Sequence, residues 1–541
     1  MNNFKGSIKL KIILLVLISF LFSTIIAFAQ DTTDVLSKAP EKIQPIRAPF
    51  KMPQLKRPVF SKRVFNIKNY GAIEGGTVKN TEAIKKTIEA AEKAGGGKVV
   101  IPEGKWLTGP IHLDNNINLY VSKGAELLFS QDFKDYLPVV FSRHEGIECY
   151  KYSAFIYANG KKNIAVTGEG ILNGQGKPWW GHKDEQKNGG VMLREMAKNN
   201  VPVKERIFDG SHNDLLRPAF FQPMNCKNVL VEGVTFMYGA FWTITPTLCE
   251  NVIVRKVKIV TYGDYGHTPN GDGVDPSSCK NVLIEYCDMS TGDDCIAIKS
   301  GRDEDGLRVN KPTENLVARY NFFRMGHGGI VIGSETSGGI KNIYGYKCYC
   351  NGTDRALRIK SERGRGAVVQ NLWFKDIKAS KIAREAIRIN MLYTLPRLPE
   401  EPVTKKTPRF RNFHFENVSC EYAGTYGIEI LGLPEMNVDN VSFKNINIKS
   451  ARGIHINDSK NIKFDNVSVT PEAGPLVDIL DSRNITFDKL AIPEGADPAF
   501  KIEGKKTQNI KIVNTDLSKA KVKEEIGKDV NKNVLQVSGK K

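Results

Sequence analysis

The stretches Cys226-Lys-Asn-Val-Leu-Val231, Cys249-Glu-Asn-Val-Ile-Val254 and Cys279-Lys-Asn-Val-Leu-Ile284 decide the fold. Each sets an asparagine before a short run of aliphatic and β-branched residues. The signature returns at Asn315, Asn342, Asn371, Asn412, Asn437, Asn461, Asn484 and Asn509, mostly at intervals of 23 to 34 residues with one of 41. Such a period marks a stacked architecture, because each unit is too small to bury its own apolar face and must be covered by the next. Short β-branched segments read with period-two alternation and punctuated by Gly and Asn, with few helical patterns between them, make each unit a coil of strands and the expected fold an all-β parallel β-helix. A leucine-rich horseshoe would need a Leu-x-x-Leu-x-Leu repeat, which is absent. Asparagine suits the turns because it tolerates the left-handed backbone and bonds to neighbouring groups.

Outward from the repeat, Asn80-Thr81 can cap a helix carrying Ala83, Ile84, Ile88 and Ala91 on one face and stopped by Gly95-Gly96-Gly97, which would cover the open end of the solenoid. Residues 30–63, rich in Pro and Lys, read as a linker, either laid over the surface or disordered. The solenoid is expected over 64–515, with 516–541 a charged C-terminal tail that folds back or stays loose. The chain opens with Lys5, Lys9 and Lys11, an apolar run from Ile12 to Ile26, and Ala27-Phe28-Ala29, the pattern of a secretory signal over 1–29. That run is shorter than the ~20 residues that span a bilayer, so no membrane anchor is expected.

Removing the three signal lysines takes the formal charge from +19 to +16. An exported chain this basic points to an anionic partner. No nucleic-acid-binding motif is present and the charges are scattered, so an acidic polysaccharide is expected rather than nucleic acid, bound by a monomer. Of the nine cysteines, Cys226, Cys249 and Cys279 stand two residues before a turn Asn and should stack as buried thiols; no Cys-x-x-Cys pair suggests zinc.

Against this background stand four polar clusters: Asn270-Gly271-Asp272, Gly292-Asp293-Asp294, Gly326-His327-Gly328 and Arg358-Ile359-Lys360. A coil advances about 4.8 Å, so clusters one period apart become neighbours on one face. Singly each has a plain reading: a solvated Asp-Asp turn, a turn histidine, surface charges on a strand. Asp275 reads as a structural acid. Lys299 is a weaker substrate-binding candidate, and Trp179, Trp180, Trp242 and Tyr393 could stack on sugars or pack in turns. Three aspartates on adjacent coils repel one another, which favours a retained proton on one of them.

The motifs Asn270-Gly-Asp-Gly-Val-Asp275, Gly292-Asp-Asp294, Gly326-His-Gly328 and Arg358-Ile-Lys360, with Tyr70-Gly-Ala72 and the Gly95–Gly104 stretch, resemble glycoside hydrolase family 28, the polygalacturonases, over roughly 64–515. The resemblance implies a single-stranded right-handed parallel β-helix that hydrolyses α-1,4 bonds of galacturonan with inversion and without a metal or cofactor. It makes Asp293 the general acid, Asp272 and Asp294 the pair that activates water, and His327 a tuner of the acid. Arg358 and Lys360, with Asn270, would hold substrate. One departure is visible: the family's Asn-Thr-Asp is Asn270-Gly271-Asp272 here. The Gly328–Gly339 stretch, the Gly301–Pro312 loop and the insertion between Trp180 and Arg217 resemble the exo-acting branch. A rhamnogalacturonan hydrolase, a calcium-dependent pectate lyase and a non-catalytic polysaccharide-binding solenoid are the competing readings.

Overall fold

The structure, a computed structural model, describes residues 35–397 and 399–539; the secretory signal read at 1–29 lies outside them. Its body is a parallel β-helix with three strands per coil. Lys280–Glu285, Asp288–Ser290 and Ile296–Ile298 form one such coil, and each pairs in parallel with its counterpart on the next, Thr313–Arg319, Phe322–Met325 and Ile330–Ile332. In the row that carries the site, Ile296 faces Ile330, then Leu357, Ile387 and Ile428. These aliphatic side chains point inward and are fully buried.

The expected alternation holds after Asn412, Asn461, Asn484 and Asn509, but after Asn228, Asn251, Asn281 and Asn315 the apolar run is continuous, and the structure supplies the reason. Val282 and Ile284 face the core, whereas Leu283 faces outward with Ala165, Leu230, Ile253 and Val317. This outer stripe is covered by Ile46 and Leu55 of the N-terminal segment, so the strand is buried on both faces. Along the same edge, buried Arg255 and Arg319 both bind Glu285 and donate onward to the segment's carbonyls, at Pro40 and at Gln44 and Pro45 respectively.

The asparagines form a ladder. Each donates Nδ2–H to Oδ1 of the one below, at 2.8–3.3 Å, except Asn461, which donates to Asp439 at 2.7 Å, and each has φ between 54° and 61°. The ladder starts earlier than the sequence repeat, at Asn116 and Asn163. It also corrects one rung: Asn440, not Asn437, occupies the left-handed position and bonds Asn412. Asn437 instead donates to the Leu433 carbonyl and accepts from Arg483.

The capping helix Thr81–Lys93 buries Ala83, Ile84, Ile88 and Ala91 against the first coil. Asn80 caps it through its backbone carbonyl only, while its side chain donates to the carbonyls of Ile73, Val78 and Leu107. At the other end the coil runs past 515. Glu524–Ile526 and Leu535–Ser538 pair in parallel with Phe500–Glu503 and Gln508–Val513, so the expected tail closes one more turn instead. All nine cysteines are free and buried. Among the described residues no helix is long and apolar enough to cross a membrane.

Candidate active site

The site is built on the strand row of Ile296 and Ile330 and on the turns that lead into it. Asp272 stands two residues before Val274 and Asp294 two before Ile296, and Val274 pairs with Ile296, so the two aspartates occupy equivalent positions on adjacent coils. One carboxylate oxygen from each of Asp272, Asp293 and Asp294 lies within 4.8 Å of the others. They open into a cleft of about 300 Å³ that is also lined by Asn270, Lys299, Lys360, Trp242, Glu335 and Tyr393.

Cations surround the carboxylates. Lys360 Nζ lies 2.7 Å from Asp294 Oδ2 and Arg358 Nη1 3.8 Å from Oδ1. Gly328 lies beside them: a Cβ there would stand 3.4 Å from Asp294 Oδ1, 3.8 Å from Arg358 Cβ and 2.4 Å from a Val331 methyl. Arg358 and Lys360 also lie over the Tyr393 ring, at 5.5 and 5.2 Å. Lys299 is buried at the cleft wall rather than solvated. Buried over Trp242, it sits 3.2 Å from Glu335, 3.7 Å from Asp272 and 4.0 Å from Asp275. Burial opposes its charge, but Glu335, Asp275 and Asp272 outweigh that and hold its pKa well above the ordinary lysine value. Burial works against Glu335 too, and Lys299, Arg302 and Arg365 overcome it, bringing Glu335 down to about 2.

The aspartates divide sharply. Burial, then the charges of Asp275 and Asp293, push Asp272 well above the usual carboxylate range; burial, against the pull of Lys299, does the same to Asp275. Asp293 feels burial as well, but its 2.9 Å bond to His327 Nδ1 and the charges of His327, Lys360 and Lys299 outweigh it and hold the carboxyl below its ordinary value. His327 is raised in turn, first by that hydrogen bond. The raised acids are therefore Asp272 and Asp275, not Asp293, the residue that the resemblance makes the acid. Asp272 Oδ1 and Asp294 Oδ1 accept no hydrogen bond among the described residues.

Asn270, with φ 52°, is fixed by buried Arg217, which donates to its Oδ1 at 2.8 Å and to the Pro269 carbonyl. The Gly271 departure has a local cause. A Cβ there would stand 2.8 Å from Thr261 Oγ1 and 2.8 Å from the Thr268 carbonyl. The Thr261 hydroxyl fills that space, donating to the Gly271 carbonyl at 2.5 Å and accepting from Gly292 N–H at 3.0 Å, so it ties the two acid-bearing turns together. Trp179 is core, packed on Phe133 and Tyr136, and Trp180 packs on Tyr238 and Tyr265, whereas Trp242 and Tyr393 line the cleft.

Sequence spacing missed Glu145, Glu335, Arg302 and Arg365. The insertion between Trp180 and Arg217 folds as a helix, Lys183–Lys198, whose Leu193 and Ala197 pack on Ile147 and Cys149 of the hairpin Val140–His144/Ile147–Lys151. The tip of that hairpin places Glu145 2.7 Å from Arg302 at the edge of the cleft. Clustered carboxylates could hold a hard cation. Here Lys299, Arg358 and Lys360 already supply positive charge, which would repel one.

A family model described as glycosyl hydrolases family 28 matches residues 209–454, and one described as a right-handed β-helix region matches 408–535. A Vitis vinifera protein described as a probable polygalacturonase is 27% identical over 319 residues, 57% of this chain; the match spans 59% of that relative's length. An exo-poly-α-D-galacturonosidase of Dickeya chrysanthemi is 26% identical over 435 residues, covering 75% of this chain and 71% of the relative. The solved hyperthermoactive exopolygalacturonase of Thermotoga maritima superposes with a TM-score of 0.69 at 37% identity, over 77% of this chain and 94% of that one.

Proposed function

The chain belongs to glycosyl hydrolase family 28, and from that membership and the chemistry of its cleft we propose that it hydrolyses the α-1,4 bonds of polygalacturonate from a chain end. The observation that carries this reading is the convergence of Asp272, Asp293 and Asp294 beneath Lys299, Arg358 and Lys360, an acid-base centre set among cations that suit an anionic sugar.

Asp293 serves as general acid through its partnership with His327. An ionised Asp293 beside a protonated His327 holds the same number of protons as a neutral acid beside a neutral imidazole. A bound sugar excludes water and brings its own carboxylate, and both changes favour the neutral arrangement, with the proton on Asp293 ready for the leaving oxygen. The free Oδ1 atoms of Asp272 and Asp294 are suited to accept the two hydrogens of one attacking water. Arg358 and Lys360 hold the sugar carboxylate, and Lys299 keeps the buried acids from mutual repulsion.

Chain-end attack is supported by the insert helix and hairpin, which bring Glu145 to Arg302 at the edge of the cleft. The basic and apolar opening of the sequence supports export, and the chain is read as a monomer that needs no metal.

Inversion follows the family pattern. The short spacing of the carboxylates favours a second reading, since retaining pairs stand ~5–5.5 Å apart and inverting pairs ~6.5–9.5 Å. Early-time NMR of the released sugar separates the two: inversion at an α bond yields the β-anomer first, retention the α-anomer. The same digest tests the function. Mono- or digalacturonate alone at early times is expected, and a ladder of oligomers overturns chain-end attack. Asp293→Asn should lose roughly a thousandfold in kcat.

A further inference from the structure

Beyond the cleft, the outward positions of the site-bearing row continue in register from Arg358 through Arg388, Glu429, His455 and Asp478 to Lys501. Three coils past Arg358, a distance of about 14 Å at one strand spacing per coil, this face opens into a second cavity of about 350 Å³. Tyr426, Arg452, Pro475, Asp478 and Lys501 line it. The Arg452 guanidinium lies 5.6 Å over the Tyr426 ring and donates to the Tyr426 hydroxyl at 3.3 Å. Arg452 is exposed and no carboxylate pairs with it among the described residues, whereas Asp478 is taken by His455 at 3.2 Å and Lys501 by Glu503 at 2.7 Å.

We propose that Tyr426 and Arg452 form a distal subsite for the same galacturonan chain whose end is cut at Asp293. This rests on the polygalacturonase reading. The row runs in register from Arg358 to Lys501, so a substrate that leaves the aspartates past Arg358 passes over these coils. There the half-buried Tyr426 ring, stacked on His455 at 5.4 Å, holds the exposed Arg452 guanidinium, which offers a bidentate partner for a sugar carboxylate. The reaching chain must be several sugars long. The subsite therefore adds affinity for long substrates and none for a dimer, which gives the enzyme a preference for polymer over its own short products.

The test compares Tyr426→Ala and Arg452→Gln with the unmodified chain on digalacturonate and hexagalacturonate. The ratio of kcat/KM on the hexamer to that on the dimer is expected to fall about fivefold in each variant; an unchanged ratio in both overturns the proposal. Arg452 is a surface residue, so its variant keeps the test open if Tyr426→Ala does not fold. Calorimetric titration of hexagalacturonate into Asp293→Asn, with and without Arg452→Gln, gives a readout that needs no turnover. Several-fold weaker binding with Arg452→Gln supports the subsite, and equal affinity overturns it. A chain that binds the hexamer through Arg452 yet cuts no galacturonan would sink the hydrolase reading alone.

Discussion

At the scale of single residues, the site depends as much on missing atoms as on charged ones. Gly328 leaves room for Val331 beside Asp294, and Gly271 leaves the space that the Thr261 hydroxyl fills. The directions of the titrations also fix a pH profile. Asp272 is raised, so on the acid side the base is lost while the pH is still above the ordinary carboxylate value of ~3.9. His327 is raised above ~6.5, so the shared proton of the Asp293–His327 pair is lost, and activity with it, only at higher pH. A plot of kcat/KM against pH should be a bell with its alkaline limb above ~6.5. In His327→Asn the proton depends on Asp293 alone, and that limb should move below ~6.5. A limb that stays in place would show that the pair does not hold the reacting proton.

At the scale of the element, the asparagine ladder does for the turns what the aliphatic stacks do for the core. Most rungs combine a left-handed backbone with two side-chain bonds along the axis. Asn342 donates to Asn315 and accepts from Asn371 at φ 59°. Asn342→Ala should lose both bonds and strain the backbone, costing ~2–4 kcal/mol, whereas Asn342→Gly, which accepts that φ, should cost ~1–2 kcal/mol. Denaturant unfolding of the two variants checks the order, and an alanine variant as stable as the glycine one would remove the conformational argument. The misplaced rung at 437 is instructive here. In Met436-Asn-Val-Asp-Asn-Val441 two asparagines each precede a valine, and only pairing with Asn412 selects the second.

At the scale of the whole molecule, residues 35–63 act as a strap over the Asn-ladder sheet, on a different side of the coil from the cleft. Deleting residues up to 60 should uncover Leu230, Ile253, Leu283 and Val317 and leave Arg255 and Arg319 without their carbonyl partners. The expected result is a melting temperature lower by several degrees and increased binding of a hydrophobic dye, with turnover at 25 °C retained. A deletion variant as stable as the full chain would make the strap incidental. Much of this molecule was legible in the linear chain. The repeat determines the coil, because an apolar unit of some 25 to 30 residues has no way to be buried except against its copy, and it thereby determines that the four polar clusters converge. The tertiary structure alone decided which carboxyls are raised and which is lowered, that Lys299 belongs to Glu335 and the acids rather than to solvent, and where the insert and strap lie. Those outcomes depend on burial and on contacts across tens to hundreds of residues, and a charge's environment, unlike a repeat's period, is not written in its neighbours along the chain.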